Sequence, residues 1–182
     1  MLRPIRTVFM YYPLRSFFTI LSMVMVCGGS LYYIRKMSEK KKITKEYGIA
    51  LWILINYVML LLFFTVFGRR SLDYYRMILT PGWAYREALE SGDSSLLLGI
   101  YMNIAVFIPV GMLTAFLAGR WRFAKAVLSG FLLSLFIEIL QLVLRTGYFE
   151  VDDLIHNTTG TAIGGLVVSG YYIIKKNGRK NL

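Results

Sequence analysis

The residues best suited to chemistry are polar side chains that interrupt long apolar stretches in the second half of the chain. Glu138, Gln141 and Arg145 are spaced i, i+3 and i+7, which on a helix predicts one polar stripe. A carboxylate at position 138 would lie in lipid, so it must be protonated or paired with an arginine such as Arg69 or Arg70. The stripe predicts either a functional site or a hydrogen-bond network that holds helices together.

A second polar group follows directly along the chain. Asp152 or Asp153 can cap the last helix, and Asn157 then lies one turn inside on the face of Asp153. His156 is the only histidine. One histidine with two aspartates matches no known metal-binding spacing, so we predict no metal site and no cofactor. Asn103, about 10 Å deep in an earlier apolar stretch, also needs a polar partner.

Five apolar stretches must position these residues, and each is close to the length of a membrane-spanning helix. They are Phe17 to Ile34, Tyr47 to Phe67, Leu96 to Leu117, Ala126 to Leu144 and Thr158 to Ile174. Backbone amides find no water in lipid, so helices are expected. The predicted fold is an all-α polytopic transmembrane bundle of about five spans. Residues 68–95 form the only long loop, with a turn at Pro81 and Gly82.

Composition supports a membrane protein. The chain is 57% hydrophobic and 17% charged, with a mean hydropathy of +0.56, which is too apolar for a soluble domain of 182 residues. The net charge of +11 lies in short stretches beside apolar segments, so it does not indicate nucleic-acid binding. Cys27 is the only cysteine, which excludes an intrachain disulfide.

Orientation follows from the basic residues, because cytoplasmic loops retain lysine and arginine. With the N-terminus outside, the inner segments carry 13 basic and two acidic residues, and every lysine is inside. The outer segments and outer helix ends then have no net charge. Arg3, Arg6 and Arg15 oppose this orientation, since they place three positive charges on the exported tail. We predict an outside N-terminus and a cytoplasmic C-terminus.

Small residues are expected to shape the helix contacts. Pro109 and Gly111 lie in mid-membrane, where a proline bends a helix. Gly160 and Gly164 form a small-xxx-small pair that lets another helix approach closely. Outer arginines are either surface charges or holders of a phosphate or carboxylate; they are Arg69, Arg70, Arg76 and Arg86.

Three ordered motifs carry a family resemblance: Asn103-Ile-Ala-Val-Phe-Ile-Pro109-Val-Gly111, Glu138-x-x-Gln141-x-x-x-Arg145, and Asp152-Asp153-Leu-Ile-x-Asn157-Thr-x-Gly160-x-x-x-Gly164. The chain resembles the VanZ-like family from about Tyr47 to Ile174. The resemblance implies a bacterial cell-membrane protein with a four-helix core, whose namesake is linked to low-level teicoplanin resistance. It divides the chain into residues 1–46 with an added helix, a family domain at 47–174 and a basic tail at 175–182.

The expected function is binding of an envelope component at an outer-leaflet polar site, with a lipid-linked cell-wall precursor or a glycopeptide as ligand. The predicted polar cluster is Asn103, Glu138, Gln141, Arg145, Asp152, Asp153 and Asn157. Arg145 would hold an anion, Gln141 and Asn157 would hydrogen-bond, and Glu138 would orient them or exchange a proton. The alternatives are an intramembrane hydrolase or transferase using Glu138 and Asp153, or a small lipid transporter that assembles as a homo-oligomer.

Overall fold

Helices dominate the structure, a computed structural model that describes residues 13–178, with side chains from residue 20 onward. The described helices are α1 (Pro13–Glu39), α2 (Lys45–Leu62), α3 (Trp83–Ser91), α4 (Ser94–Ala118), α5 (Arg122–Val143) and α6 (Val151–Gly178). A π-helical turn at Phe63–Phe67 continues α2. About 80% of the structure is helical, which confirms the all-α class. Arg3, Arg6, Arg179 and Lys180, as well as the side chain of Arg15, lie outside the described residues and side chains.

Three helices of the described part are long and apolar enough to cross a membrane: Lys45–Phe67, Ser94–Ala118 and Arg122–Val143. They match the second, third and fourth predicted spans to within a few residues. The count of five spans stays a prediction, as does a bend at Pro109, which lies inside the continuous helix α4.

Two elements differ from the prediction. Helix α6 begins at Val151, seven residues before the predicted apolar run, because Asp152 and Asp153 in its first turn are favoured by the helix dipole. The segment predicted as a loop contains α3 and the strand β1 (Met77–Ile78), which pairs in parallel with β2 (Phe149–Glu150). Because α3 is short and exposes a polar face, it contains no apolar stretch from which a helix could be predicted.

The described residues form two compact units. The division of the chain after residues 46 and 174 stays a prediction. The first unit contains the described part of residues 1–76 together with Leu140–Tyr148. In it α1 and α2 form a hairpin whose helices approach closely at Gly48, where an added Cβ would lie 2.9 Å from the Ile34 side chain. The Trp52 indole also donates to the Cys27 carbonyl at 3.2 Å.

The second unit contains Met77–Ile139 and residues 149–178, with α3, α4, most of α5, α6 and the two strands. Its core includes Phe107, Val110 and Ala126, each exposed by 1% or less. Ser134, Glu138, Asn157 and Thr161 are buried as well, whereas large apolar side chains are exposed on the same helices; these include Leu98, Leu128, Leu132, Leu166 and Val167. Polar groups inside and apolar groups outside suit a lipid environment.

Candidate functional site

A buried polar ladder joins three helices of the second unit. On one side Asn103 of α4 donates its side-chain amide to the Asp153 carboxylate of α6 at 2.6 Å. One turn along α6, Asn157 donates to the Ser134 hydroxyl of α5 at 2.9 Å. Polar groups in an apolar interior need such partners, so these two bonds fix α6 against both neighbouring helices.

Glu138 extends the ladder one turn beyond Ser134 on α5. Its side chain is 1% exposed, and its Oε2 accepts the backbone amide of Glu150 at 2.8 Å. The carboxylate therefore holds the end of β2, directly before α6. The pairing of Glu138 with Arg69 or Arg70 stays a prediction.

The glycines explain why α4 and α6 come so close. An added Cβ on Gly160 would collide with the Ile104 carbonyl, and one on Gly164 would lie 2.8 Å from the Met112 amide nitrogen. Gly111 of α4 in turn leaves room for the Thr161 backbone, where a Cβ would lie 2.7 Å from the Thr161 Cα. Real Cβ atoms do not approach so closely, so glycine is required at each contact.

Asp152 lies in the first turn of α6, but its side chain caps a different helix, α3. Its two carboxylate oxygens accept the backbone amides of Gly82 at 2.7 Å and Ala84 at 2.9 Å. These amides belong to the first turn of α3, where helix geometry provides no acceptor. Asp152 is only 4% exposed. The expectation that it caps α6 is corrected, because it lies inside the first turn of that helix.

His156 is buried against the edge of the Tyr85 ring, with ring centroids 5.4 Å apart. Its Nδ1 and the Oδ1 of Asn157 are buried atoms that have no hydrogen-bond partner in the structure. Within the described residues no group of three or more metal-ligating side chains converges. His156 thus packs as an aromatic residue.

The first unit positions Gln141 and Arg145. The Gln141 side-chain amide donates to the carbonyl of Thr65 at 3.0 Å. Thr65 lies in the π-helical turn at the end of α2, where carbonyls lack partners within the helix. The donor group of Gln141 is therefore engaged in joining two segments of this unit.

Arg145 occupies a strained backbone position at the end of α5. Its φ of 56° is left-handed, and its amide donates to Leu142 while the next amide, of Thr146, donates to Gln141. This pair of bonds defines a Schellman motif, in which glycine is preferred at the position that Arg145 holds. The Arg145 carbonyl also accepts the Leu72 amide at 2.6 Å. An arginine here costs on the order of 1 kcal/mol of backbone strain.

The Arg145 guanidinium is exposed and lies over the ring of Tyr75, 4.3 Å from its centroid. Arg76 stacks similarly on Tyr148 at 5.0 Å, and Tyr148 shares a 2.8 Å hydrogen bond with the Tyr74 hydroxyl. This hydrogen bond raises the pKa of the Tyr74 hydroxyl. A guanidinium that lies over an aromatic ring is attracted electrostatically to the face of that ring.

A further arginine lies near the same segment. An added Cβ on Gly147 would lie 3.3 Å from the Nη1 of Arg69, so the absence of a side chain admits that guanidinium. Gly147, Tyr75 and the Thr65 carbonyl were missed by the sequence reasoning. Of these three, only Gly147 was indicated by the sequence, because it ends the Arg145-Thr-Gly run, which is typical of a chain reversal.

Together, the apolar exposed helices and the buried polar ladder define a multi-pass helical membrane protein. The chain matches the family model of VanZ/LLP1 over residues 16–174 and belongs to that family. The match includes α1 almost entirely, so the matched region is longer than the resemblance from Tyr47 to Ile174 indicated. No curated protein and no solved structure matches the chain significantly.

Proposed function

We propose that this protein binds an anionic component of the bacterial cell envelope, with Arg145 as the main recognition residue. The observation that carries the proposal is the left-handed conformation of Arg145 at a position that favours glycine. Such strain often occurs at functional positions. Lys41 and Trp121 adopt the same left-handed conformation near other helix ends, so the placement of the Arg145 guanidinium over Tyr75 is the second observation that distinguishes Arg145. The exposed guanidinium on Tyr75 is the part of the residue that a ligand can reach.

The chemistry suits a phosphate or carboxylate. A planar guanidinium donates two parallel hydrogen bonds to either group, and the ring beneath it restricts its orientation before binding. Lipid-linked cell-wall precursors carry phosphates, and glycopeptides carry carboxylates. Arg69 lies near the same segment and supplies a second positive charge.

The proposed topology has five spans, an outside N-terminus and a cytoplasmic C-terminus. It is supported by the placement of all lysines on one side and by three apolar helices of spanning length. In this orientation Arg145 faces the outer surface. A contribution to teicoplanin-type resistance would follow if the bound component is the target of that drug.

Binding is favoured over catalysis by the state of the two carboxylates. Glu138 accepts the Glu150 amide and Asp153 accepts the Asn103 amide, so both serve the helix framework. An acid and base pair would need these groups to face a substrate. The ladder of the second unit is proposed to be a structural network.

The test is thermal stabilisation of the purified protein by single ligands, since a ligand that binds the native state raises its stability. The ligands are a lipid-linked precursor, a glycopeptide, an anionic phospholipid and a neutral phospholipid. A rise in Tm with one of the first two that is lost in Arg145→Ala supports the proposal. Arg86→Ala, another exposed arginine, serves as the control and should keep the full shift. An equal shift in all three proteins would contradict it.

A further inference from the structure

A cleft between α1 and α2 is lined by both apolar and charged residues, and it takes no part in the proposed function. It has a volume of about 580 Å³ and lies wholly within the first unit. The lining residues of each helix follow a helical face, at i, i+3, i+4 and i+7, so two facing surfaces form the walls. It lies at the ends of the helices that the loop of residues 40–44 connects.

The cleft is charged at the end nearest the loop and apolar at the opposite end. Ser38, Glu39 and Lys45 lie at the loop end and Leu31 and Trp52 at the opposite end. Ile34, Arg35 and Ile49 lie between these ends. The chain from residue 35 to residue 46 carries six basic and two acidic side chains. A second cleft in the same unit, of about 380 Å³, is lined by described residues that are all uncharged. Of these two clefts, only the first has positively charged residues among its described lining residues.

We propose that this cleft binds an anionic phospholipid, with its phosphate at Arg35 and Lys45 and an acyl chain along Ile34, Ile49 and Trp52. Charge complementarity selects the anionic class, because basic groups beside a membrane attract acidic lipids. The first turn of α2 adds backbone amides and the positive end of a helix dipole at the charged end. Glu39 opposes the phosphate and limits the affinity.

The experiment measures quenching of Trp52 fluorescence by phospholipids with brominated acyl chains in vesicles. Trp83→Phe and Trp121→Phe leave Trp52 as the only tryptophan. Brominated phosphatidylglycerol is compared with brominated phosphatidylcholine, and we expect the anionic lipid to quench at lower mole fraction. Arg35→Gln with Lys45→Gln should reduce this preference by roughly fivefold for each charge removed.

Two further variants sharpen the result. Lys41→Gln with Lys42→Gln removes equal charge from the loop outside the cleft and should preserve the preference. Glu39→Gln should increase the preference, a change that misfolding does not produce. Equal quenching by both lipids in the parent protein, or equal losses in the two double variants, would overturn the proposal. Arg145 is unchanged throughout, so this outcome is independent of the proposed ligand site.

Discussion

At the scale of single residues, the backbone of Arg145 and its side chain have opposite effects on stability. Glycine would relieve the left-handed strain at this position, whereas the guanidinium gains from stacking on Tyr75. A comparison of two variants that both lack the side chain separates these effects.

Arg145→Gly should be more stable to unfolding than Arg145→Ala by about 1 kcal/mol, because only alanine pays for a Cβ in the left-handed region. The measurement is thermal or denaturant unfolding of both variants in the same detergent. Equal stabilities would mean that residue 145 is not left-handed in solution and would remove the main support for its role.

Asp152 is a second residue with a specific role, since its carboxylate caps α3. Asp152→Ala should lower the free energy of unfolding by about 1–3 kcal/mol, because it leaves the partly buried amides of Gly82 and Ala84 without their acceptor. Asp152→Asn keeps one acceptor and should lose less. Unfolding in detergent measures both, and loss of α3 should appear as faster amide exchange at residues 83–86.

Asp93 provides the matched control, because it caps α4 through Ser95 at an exposed site. The hydrogen bonds from Ser95 lower the pKa of its carboxyl. Its contribution is therefore present above the unfolded pKa and is lost as pH falls through the folded pKa. Asp93→Ala should destabilise less than Asp152→Ala; the reverse order would contradict the assigned cap.

At the scale of elements, the contact of α4 with α6 depends on glycine. Gly160→Ala should destabilise the protein by about 1–3 kcal/mol, because its Cβ would meet the Ile104 backbone, which has no flexible side chain to move. Gly170→Ala lies on the same helix with nothing within 4 Å of its Cβ and should cause no loss. Thermal unfolding compares the two, and equal effects would disprove a close backbone contact.

The apolar elements were predictable from the sequence, whereas the polar connections were predictable only in part. Hydropathy located α2, α4 and α5, since their apolar runs span most of each helix. It failed at the start of α6, where polar residues occupy buried positions, and at α3, which is short. The placement of Asn157 one turn inside α6, on the face of Asp153, was expected from helical spacing. The partner of Asp152 was not, because a carboxylate can cap any helix that tertiary packing brings to it.

At the scale of the whole molecule, the charge distribution predicts a topology. Cysteine is introduced at Lys41 and, separately, at Glu90 in a Cys27→Ser background, since Cys27 is the only native cysteine. In intact cells an impermeant maleimide should label position 90, and it should label position 41 only after permeabilisation. The opposite pattern would invert the topology and place Arg145 on the cytoplasmic side.

The central claim is that the Arg145 side chain recognises an anion of the cell envelope, and a comparison of Kd values tests it most directly. The ligand is the precursor or glycopeptide that stabilises the parent protein, and Arg145→Gly is used because its backbone is relaxed. Loss of a charge-assisted contact worth about 1.5–3 kcal/mol predicts a Kd raised by roughly 10-fold to 150-fold. Arg145→Lys should give an intermediate value, because it keeps the charge without the planar donors. An unchanged Kd in Arg145→Gly would contradict the account.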